Sequence, residues 1–317
     1  MIAMREAFGK SLVELGKKNK DVVVLDADLA SSTKTTYFAE EFPDRFFQCG
    51  IAEQNMMGVA AGLASCGKIP FVTSFAVFVT KRSADQVSVS VAYPKLNVKI
   101  IGAYTGLFNG RTGATHMAVE DIALMRSIPG IVVIDPADAN ELSQAVEAIA
   151  KYCGPVYMRE TRDEWPDVLD SGCKFEIGRA VTIKDGKDAT IISCGVMTSQ
   201  ALIAANNLER EGISTRVINM STIKPVDRES VIKSALDTKA VVTCENHNIY
   251  GGLGSAVAEV LVEEAPVPML RIGIKDMFSE CGTNEELLKK FEMDSTDIIK
   301  TVKKVLIKKK QGEVLKN

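Results

Sequence analysis

A glutamate at the start of an apolar, small-residue segment is the first feature of this sequence that suggests chemistry. Glu53 lies near the beginning of residues 50–67, which read GIAEQNMMGVAAGLASCG. The alanines and glycines are typical of a closely packed helix, whereas burial disfavours the charged form of a carboxyl group. The carboxyl group of Glu53 must therefore be paired, hydrogen-bonded or protonated.

A second set of candidate functional residues follows two predicted strands. Phe75 and Phe78 come after IPFVTSF, and their spacing places both rings on one side of a helical turn. They are either core aromatics or a stacking pocket for a flat heterocycle. Residues 104–116, YTGLFNGRTGATH, form a glycine-rich loop that is either simply flexible or lets the backbone approach a ligand closely. We expect His116 to open the following helix, where it can polarise an oxygen or transfer a proton.

Two further loops offer polar groups. The loop DADLASS carries Asp26, Asp28, Ser31 and Ser32 at the end of a buried strand, where polar side chains either serve a function or cap a helix. The segment GGLG, residues 251–254, resembles a phosphate-binding loop but lacks the full GxGxxG spacing and a P-loop lysine. A tight turn that packs a helix on a strand is the favoured interpretation of this segment.

The elements that must position these residues alternate between helix and strand. Continuous apolar strands such as DVVVL, NVKII and IVVI are separated by helical patterns, which indicates an α/β fold with a parallel sheet covered on both faces. Ligands in such folds bind beyond the carboxyl ends of the strands. The charged stretch ETRDEWPDVLDSGCKF indicates a linker, so we expect domains at residues 1–170 and 171–317, the second one smaller.

Composition excludes several classes of function. The chain has 317 residues and a formal net charge of −3, so its charge gives no reason to expect nucleic acid or a membrane surface as a partner. No apolar run is long enough for a membrane span. Seven cysteines without CxxC spacing indicate free thiols in a reducing cytoplasm, and two histidines without ligand spacing predict no metal site.

Several motifs together resemble the C-terminal half of transketolase, and most of all the separately encoded C-terminal subunit of some prokaryotes. They are GIAEQNMMGVAAGLA, SFAVF, GATH, IPGIVVIDPADANE and ENHNIYGGLGSAV. The resemblance covers essentially the whole chain, in order. It implies a pyrimidine-binding parallel-sheet domain at residues 1–170 and a smaller transketolase C-terminal α/β domain at residues 171–317. The implied activity is the thiamine diphosphate-dependent transfer of a two-carbon ketol unit from a ketose phosphate to an aldose, as in the pentose phosphate pathway.

The resemblance also implies a partner. In this family a separate N-terminal domain holds the cofactor's diphosphate and Mg²⁺ through a GDG…N motif, and this chain has only KDGKD. We therefore expect a separate N-terminal subunit that binds Mg²⁺. We also expect self-pairing of this chain, an α2β2 assembly and an active site between subunits.

The cofactor-binding residues implied by the resemblance come from three motifs. Glu53 matches the glutamate that hydrogen-bonds the pyrimidine ring nitrogen of thiamine diphosphate and promotes the reactive tautomer of the ring. A dry pocket suits a carboxyl group that shares a proton with the ring. Phe75 and Phe78 match the aromatic residues that pack against the pyrimidine, and Asp28 matches a residue near the cofactor.

The substrate-binding residues are implied in the same way. His116 matches a histidine that contacts a substrate hydroxyl. Arg159 matches an arginine that binds the terminal phosphate, a role suited to the bidentate guanidinium. Arg5 and Ser32 are expected to assist Arg159.

The glycine-rich loop departs from the family pattern. Tyr104 replaces a histidine, GRTG replaces the acidic GEDG, and Lys81 replaces a third aromatic residue. Arg111 in this loop either faces a more anionic or unusual sugar, or faces solvent or a partner chain. Two other functions remain open: a reaction of the deoxyxylulose-phosphate synthase type, and a non-catalytic scaffold subunit.

Overall fold

Two parallel sheets, each covered by helices, make up the protein. The computed structural model describes residues 2–170 and 172–314, without the side chains of Arg111 and residues 312–314. The predicted α/β fold is confirmed, because buried apolar strands alternate with helices in both halves of the chain. The strands are β1 Val22–Asp26, β2 Phe46–Gln48, β3 Ile69–Phe75, β4 Lys99–Ala103, β5 Val132–Ile134, β6 Val156–Glu160, β7 Val181–Lys184, β8 Ala189–Ser193, β9 Thr215–Asn219, β10 Thr222–Lys224, β11 Val241–Asn248 and β12 Met269–Ile274.

The helices fill the connections between these strands. They are α1 Met4–Lys18, α2 Ala30–Thr33, α3 Thr36–Glu41, α4 Glu53–Ser65, α5 Ala76–Lys81, α6 Asp121–Ser127, α7 Ala139–Lys151, α8 Met197–Arg210, α9 Arg228–Thr238, α10 Leu253–Glu264, α11 Asn284–Lys290 and α12 Ser295–Val314. A π-helical segment, Gln86–Ala92, follows α5. Its hydrogen bonds span one residue more than those of an α-helix.

The first sheet has the strand order β10-β5-β6-β4-β3-β1-β2. All its strands are parallel except β10, which comes from the second half of the chain and pairs antiparallel with β5. The carboxyl ends of β3, β4 and β6 lie side by side, since Phe75 pairs with Ala103 and Ala103 with Glu160. The loops that follow these strands therefore meet at one edge of the sheet, where α/β folds bind ligands.

The second sheet has the strand order β12-β11-β8-β9-β7, with only β7 antiparallel. The turn GGLG leads from β11 into α10. The backbone N–H groups of Leu253 and Gly254 donate to the buried Glu245 carboxylate at 2.7 and 2.8 Å. The protein's own carboxylate occupies this helix start, so the interpretation of GGLG as a tight packing turn is confirmed.

The helices pack by the spacing of their apolar residues. In α1, Met4, Phe8, Leu12 and Leu15 are buried at intervals of three and four residues, which is one face of an α-helix. In α4, by contrast, the residues next to the buried face include exposed glycines. Among the described residues, no helix is long and apolar enough to cross a membrane, and no group of three or more histidine, cysteine or acidic side chains is placed to hold a metal ion.

Candidate active site

The carboxylate of Glu53 is buried and paired. Glu53 is the first residue of α4, and its side chain is 4% exposed. Its Oε1 accepts a hydrogen bond from Nη1 of Arg82 at 2.6 Å. A negative charge in the first turn of a helix is also favoured by the helix dipole. An ion pair and a helix start together account for a carboxylate in this apolar segment.

Four aromatic rings form a cluster at the carboxyl edge of the first sheet. The ring centroids of Phe75 and Tyr104 are 4.2 Å apart and stacked, and those of Phe75 and Phe78 are 5.8 Å apart. The His116 ring meets Phe78 edge-on, at a centroid distance of 5.3 Å. We call Phe75, Phe78, Tyr104 and His116 the aromatic cluster. Its stacked rings provide a flat apolar platform beside polar loops.

Arg82 joins Glu53 to the aromatic cluster. Its guanidinium lies 4.0 Å from the centroid of the Phe78 ring while it donates to Glu53. Sequence reasoning missed Arg82, although its position four residues after Phe78 places the two side chains on one helical face. Arg82 thus links a buried carboxylate and an aromatic ring within one site, with its guanidinium over the Phe78 ring.

His116 lies in the aromatic cluster, but it does not open a helix. It ends a 3₁₀ turn, Ala114–His116, and α6 begins only at Asp121. The prediction of a helix start at His116 is wrong because the glycine-rich loop continues through two short 3₁₀ turns. The His116 Nδ1 lies 2.8 Å from Oγ1 of Thr115, and its backbone carbonyl accepts from Asn109.

The loop after β1 lies beside the aromatic cluster. Leu29 packs against the cluster, while Asp28 is exposed and has a left-handed φ of 65°. The backbone N–H of Asp28 donates to the Gln48 side chain at 2.7 Å. Asp26 caps the turn instead: its carboxylate accepts from the N–H of Leu29, and burial raises the pKa of the Asp26 carboxyl. The capping interpretation therefore fits Asp26, whereas a functional role for Asp28 stays a prediction.

Two arginines approach Tyr104. Nη1 of Arg5 donates to the Tyr104 hydroxyl at 2.8 Å, and that hydroxyl lies 3.4 Å from the backbone oxygen of Ser32. The guanidinium of Arg162 lies 5.3 Å from the centroid of the Tyr104 ring. The predicted residues Arg5 and Ser32 are thus brought together by Tyr104, the residue at which the loop departs from the family pattern.

Arg159 is the main correction to the expected site. Its side chain is 1% exposed, and it donates from Nε to Asp121 at 2.8 Å, from Nη1 to Asp135 at 2.8 Å and from Nη2 to the Asn246 carbonyl at 3.0 Å. All three nitrogens are engaged in the interior, so Arg159 is not available to a substrate phosphate. Arg162, which sequence reasoning missed, lies beyond the end of β6 and reaches the aromatic cluster. Its position in the loop after a strand is the sequence signal that could have identified Arg162 as a candidate ligand-binding residue.

Two other predicted positions complete the site. Lys81, at the place of a third aromatic residue, pairs with Glu120. The backbone of Arg111 lies in a 3₁₀ turn, Gly110–Thr112, and its side chain is outside the part of the chain that the structure describes. Neither residue adds a ring to the aromatic cluster.

The comparisons with known proteins agree with this architecture. Residues 1–167 match the transketolase pyrimidine binding domain, and residues 178–298 match the transketolase C-terminal domain. The chain is 47% identical to the "Putative transketolase C-terminal section" of Methanocaldococcus jannaschii, with 94% of this chain and 95% of that protein aligned. The chain belongs to the transketolase family.

Relatives of similar length carry more specific names. The chain is 42% identical to a 6-deoxy-6-sulfo-D-fructose transketolase subunit of a Clostridium species, covering 96% of this chain and 95% of that protein. A solved structure described as "Split gene transketolase, inactive beta4 tetramer" is 50% identical, with a TM-score of 0.89 over 96% of this chain and 98% of that one. This chain therefore resembles separately encoded transketolase subunits, whose family in general depends on thiamine diphosphate.

Proposed function

We propose that this chain is the C-terminal subunit of a two-chain, thiamine diphosphate-dependent transketolase that moves a two-carbon ketol unit from a ketose phosphate to an aldose. The observation that carries the proposal is the buried Glu53 carboxylate, which Arg82 joins to the Phe78 ring at the carboxyl edge of a parallel sheet. When bound, thiamine diphosphate supplies the nucleophilic carbon for this transfer. The relatives' names favour ketol transfer over deoxyxylulose-phosphate synthesis.

The residues of the site have distinct proposed roles. Glu53 holds a proton shared with the pyrimidine ring nitrogen, which requires its carboxylate to exchange Arg82 for the ring. Phe75 and Phe78 pack against the ring and exclude water from Glu53. His116 contacts a substrate hydroxyl, and Asp28 lies at the side of the cofactor.

The far end of the substrate is proposed to meet a cationic pair. Arg5 and Arg162 approach Tyr104 from different elements, and the backbone of Ser32 lies beside its hydroxyl. Arginine forks suit phosphate and other anionic oxygens. Arg162 thus takes the place that the sequence assigned to Arg159. A relative named for a sulfonated sugar and one named for apulose-4-phosphate support an anionic sugar that differs from the standard substrates.

Assembly is part of the proposal. We infer a separate N-terminal subunit that binds the diphosphate and Mg²⁺, and an α2β2 enzyme in the cytoplasm, with this chain divided at about residue 170. The outer side of α4 supports self-pairing, since a Cβ added at Gly58 or Gly62 would meet no atom within 4 Å among the described residues. Val59 of α4 is exposed as well, and Tyr93, which follows the π-helical segment packed against α4, is 86% exposed. Such an apolar, small-residue surface suits close packing with a second copy.

The decisive experiment replaces Glu53. The wild-type chain is combined with its N-terminal subunit, thiamine diphosphate and Mg²⁺, and assayed with a panel of ketose phosphates. Glu53→Ala is expected to abolish transfer, whereas Glu41→Ala, which removes an exposed carboxylate from α3, should leave it unchanged. Near-normal turnover of Glu53→Ala would show that the carboxylate is only structural, and no transfer by the wild type from any donor would refute the function.

A further inference from the structure

A cleft of about 320 Å³ lies where the two domains meet beside the aromatic cluster. The first domain contributes Asn109, Gly110, Arg162 and Asp163 to its walls, and the second domain contributes the segment leading into α11, including Asn284. Arg162 is thus shared between this cleft and the proposed anion-binding end of the substrate site. A ligand bound by Arg162 would therefore also lie next to this cleft.

The second domain is held against the glycine-rich loop by specific contacts. The N–H of Gly282 donates to the carbonyl of Gly110 at 3.1 Å, and Nδ2 of Asn284 donates to Oδ2 of Asp163 at 3.0 Å. Gly113 has a φ of 78°, and a Cβ there would come within 2.9 Å of the Cys281 sulfur. These contacts require glycine at the crossing and fix the position of Asn284 in the cleft wall.

Asn109 presents an unused acceptor. Its side chain is fully buried, and its Nδ2 donates to the carbonyls of Tyr104 at 2.6 Å and His116 at 2.9 Å. Because only the amide nitrogen can donate to two carbonyls, the orientation of the side-chain amide is settled. Its Oδ1 then has no hydrogen-bond partner among the residues that the structure describes. A buried acceptor of this kind costs stability unless a ligand or water satisfies it.

Two more atoms in the cleft residues have the same property. Oδ1 of Asn284 and Nε of Arg162 are buried and lack a hydrogen-bond partner within residues 2–170 and 172–314. The cleft residues therefore offer two amide oxygens as acceptors and one guanidinium as a cationic donor, and the Asp163 carboxylate lies in the same wall with its Oδ1 3.8 Å from Nε of Arg162. The complementary ligand supplies hydroxyl groups to the asparagines and an anionic oxygen to the arginine.

We propose that Asn109 and Asn284 are specificity-determining residues, which accept hydrogen bonds from the hydroxyl groups of an anionic, polyhydroxylated substrate held by Arg162. The second domain then forms part of the sugar site through Asn284. This inference rests on the proposed function for the identity of the substrate. The two hydrogen bonds from Nδ2 of Asn109 hold the loop between Tyr104 and His116 and thereby fix the position of Oδ1.

Asn284 is the residue to test, because Asn109→Ala would also release the backbone of Tyr104 and His116. Binding of fructose 6-phosphate and of inorganic phosphate to the full chain is measured by isothermal titration calorimetry. Loss of one neutral hydrogen bond should weaken fructose 6-phosphate binding to Asn284→Ala by roughly three- to tenfold. Inorganic phosphate, which needs only the arginines, should bind as before. Glu285→Ala, an exposed change one residue further along α11, should behave as the wild type.

The same variant separates this inference from the proposed function in the assembled enzyme. Asn284→Ala should raise KM for fructose 6-phosphate, leave kcat unchanged, and leave KM for 3-hydroxypyruvate, a donor without a sugar chain, unchanged. Selective binding of fructose 6-phosphate without ketol transfer would support the proposed role of Asn284 in the cleft and refute the transketolase function. Three results would overturn the inference. They are equal affinity of Asn284→Ala and the wild type for fructose 6-phosphate, equal weakening of fructose 6-phosphate and inorganic phosphate binding in the variant, and no binding of fructose 6-phosphate to the wild-type chain.

Discussion

Arg159 and Arg162 are three residues apart, and the structure gives them opposite environments. Arg159 lies within β6 and is buried against two aspartates and a carbonyl of the second domain. Arg162 lies in the loop beyond the strand, partly exposed above Tyr104. The end of one strand therefore separates an arginine that joins the domains from one that can meet a ligand. Three predictions test this comparison.

The largest expected effect is on stability. Arg159→Ala leaves Asp121 and Asp135 buried without their counter-charge, which should lower the free energy of unfolding by about 3–5 kcal/mol. Arg162→Ala should change it by less than about 0.5 kcal/mol, as is usual for a surface substitution. Urea denaturation of both variants measures the difference. Similar losses for both arginines would remove the distinction between the two environments.

A second test concerns another interior link between the domains. The Glu141 carboxylate accepts from Asn219 at 2.9 Å and Ser221 at 2.7 Å, and burial raises its pKa to about 7 from an ordinary value of 4.5. Below about pH 4.5 the carboxyl is protonated in both folded and unfolded chains, and its contribution to stability is fully present. That contribution is lost as the pH rises to about 7, because the unfolded chain releases the proton first.

The variant Glu141→Gln removes this titration. Between pH 4.5 and 7, the unfolding free energy of the variant should gain about 3 kcal/mol relative to that of the wild type, whatever the offset between them at low pH. Chemical denaturation across this pH range provides the measurement. Parallel pH profiles for variant and wild type would contradict the buried, raised-pKa state of Glu141.

The smallest of the three effects is on substrate binding. In the assembled enzyme, Arg162→Ala should raise KM for phosphorylated sugars by roughly 10- to 100-fold, the value of one charge-assisted hydrogen bond. Donors without an anionic end should be spared. Arg179→Ala, which removes an exposed arginine paired with Glu229 in the second domain, is the matched control. Equal effects on charged and uncharged donors would remove the anion-binding role of Arg162.

Much of the fold was predictable because its signals are local. Apolar strand runs such as VVVLD and the three- and four-residue spacing of α1 each follow from neighbouring residues. The short elements were harder to predict. Strand β10 pairs with β5 of the other domain, and nothing within the three residues of β10 indicates that partner. The helix expected at His116 failed because loop glycines and the contact with Gly282 held the segment in 3₁₀ turns.

The sequence alone determined the α/β class, the family motifs and the presence of a carboxylate, two phenylalanines and a histidine around predicted strand ends. Only the tertiary structure decided what each charged side chain meets. Arg82 reaches Glu53 across 29 residues, Arg5 reaches Tyr104 across 99, and Asn284 joins the loop of another domain. The reason is physical: backbone patterns arise from neighbours in sequence, whereas the partner of a buried charge depends on which elements pack together.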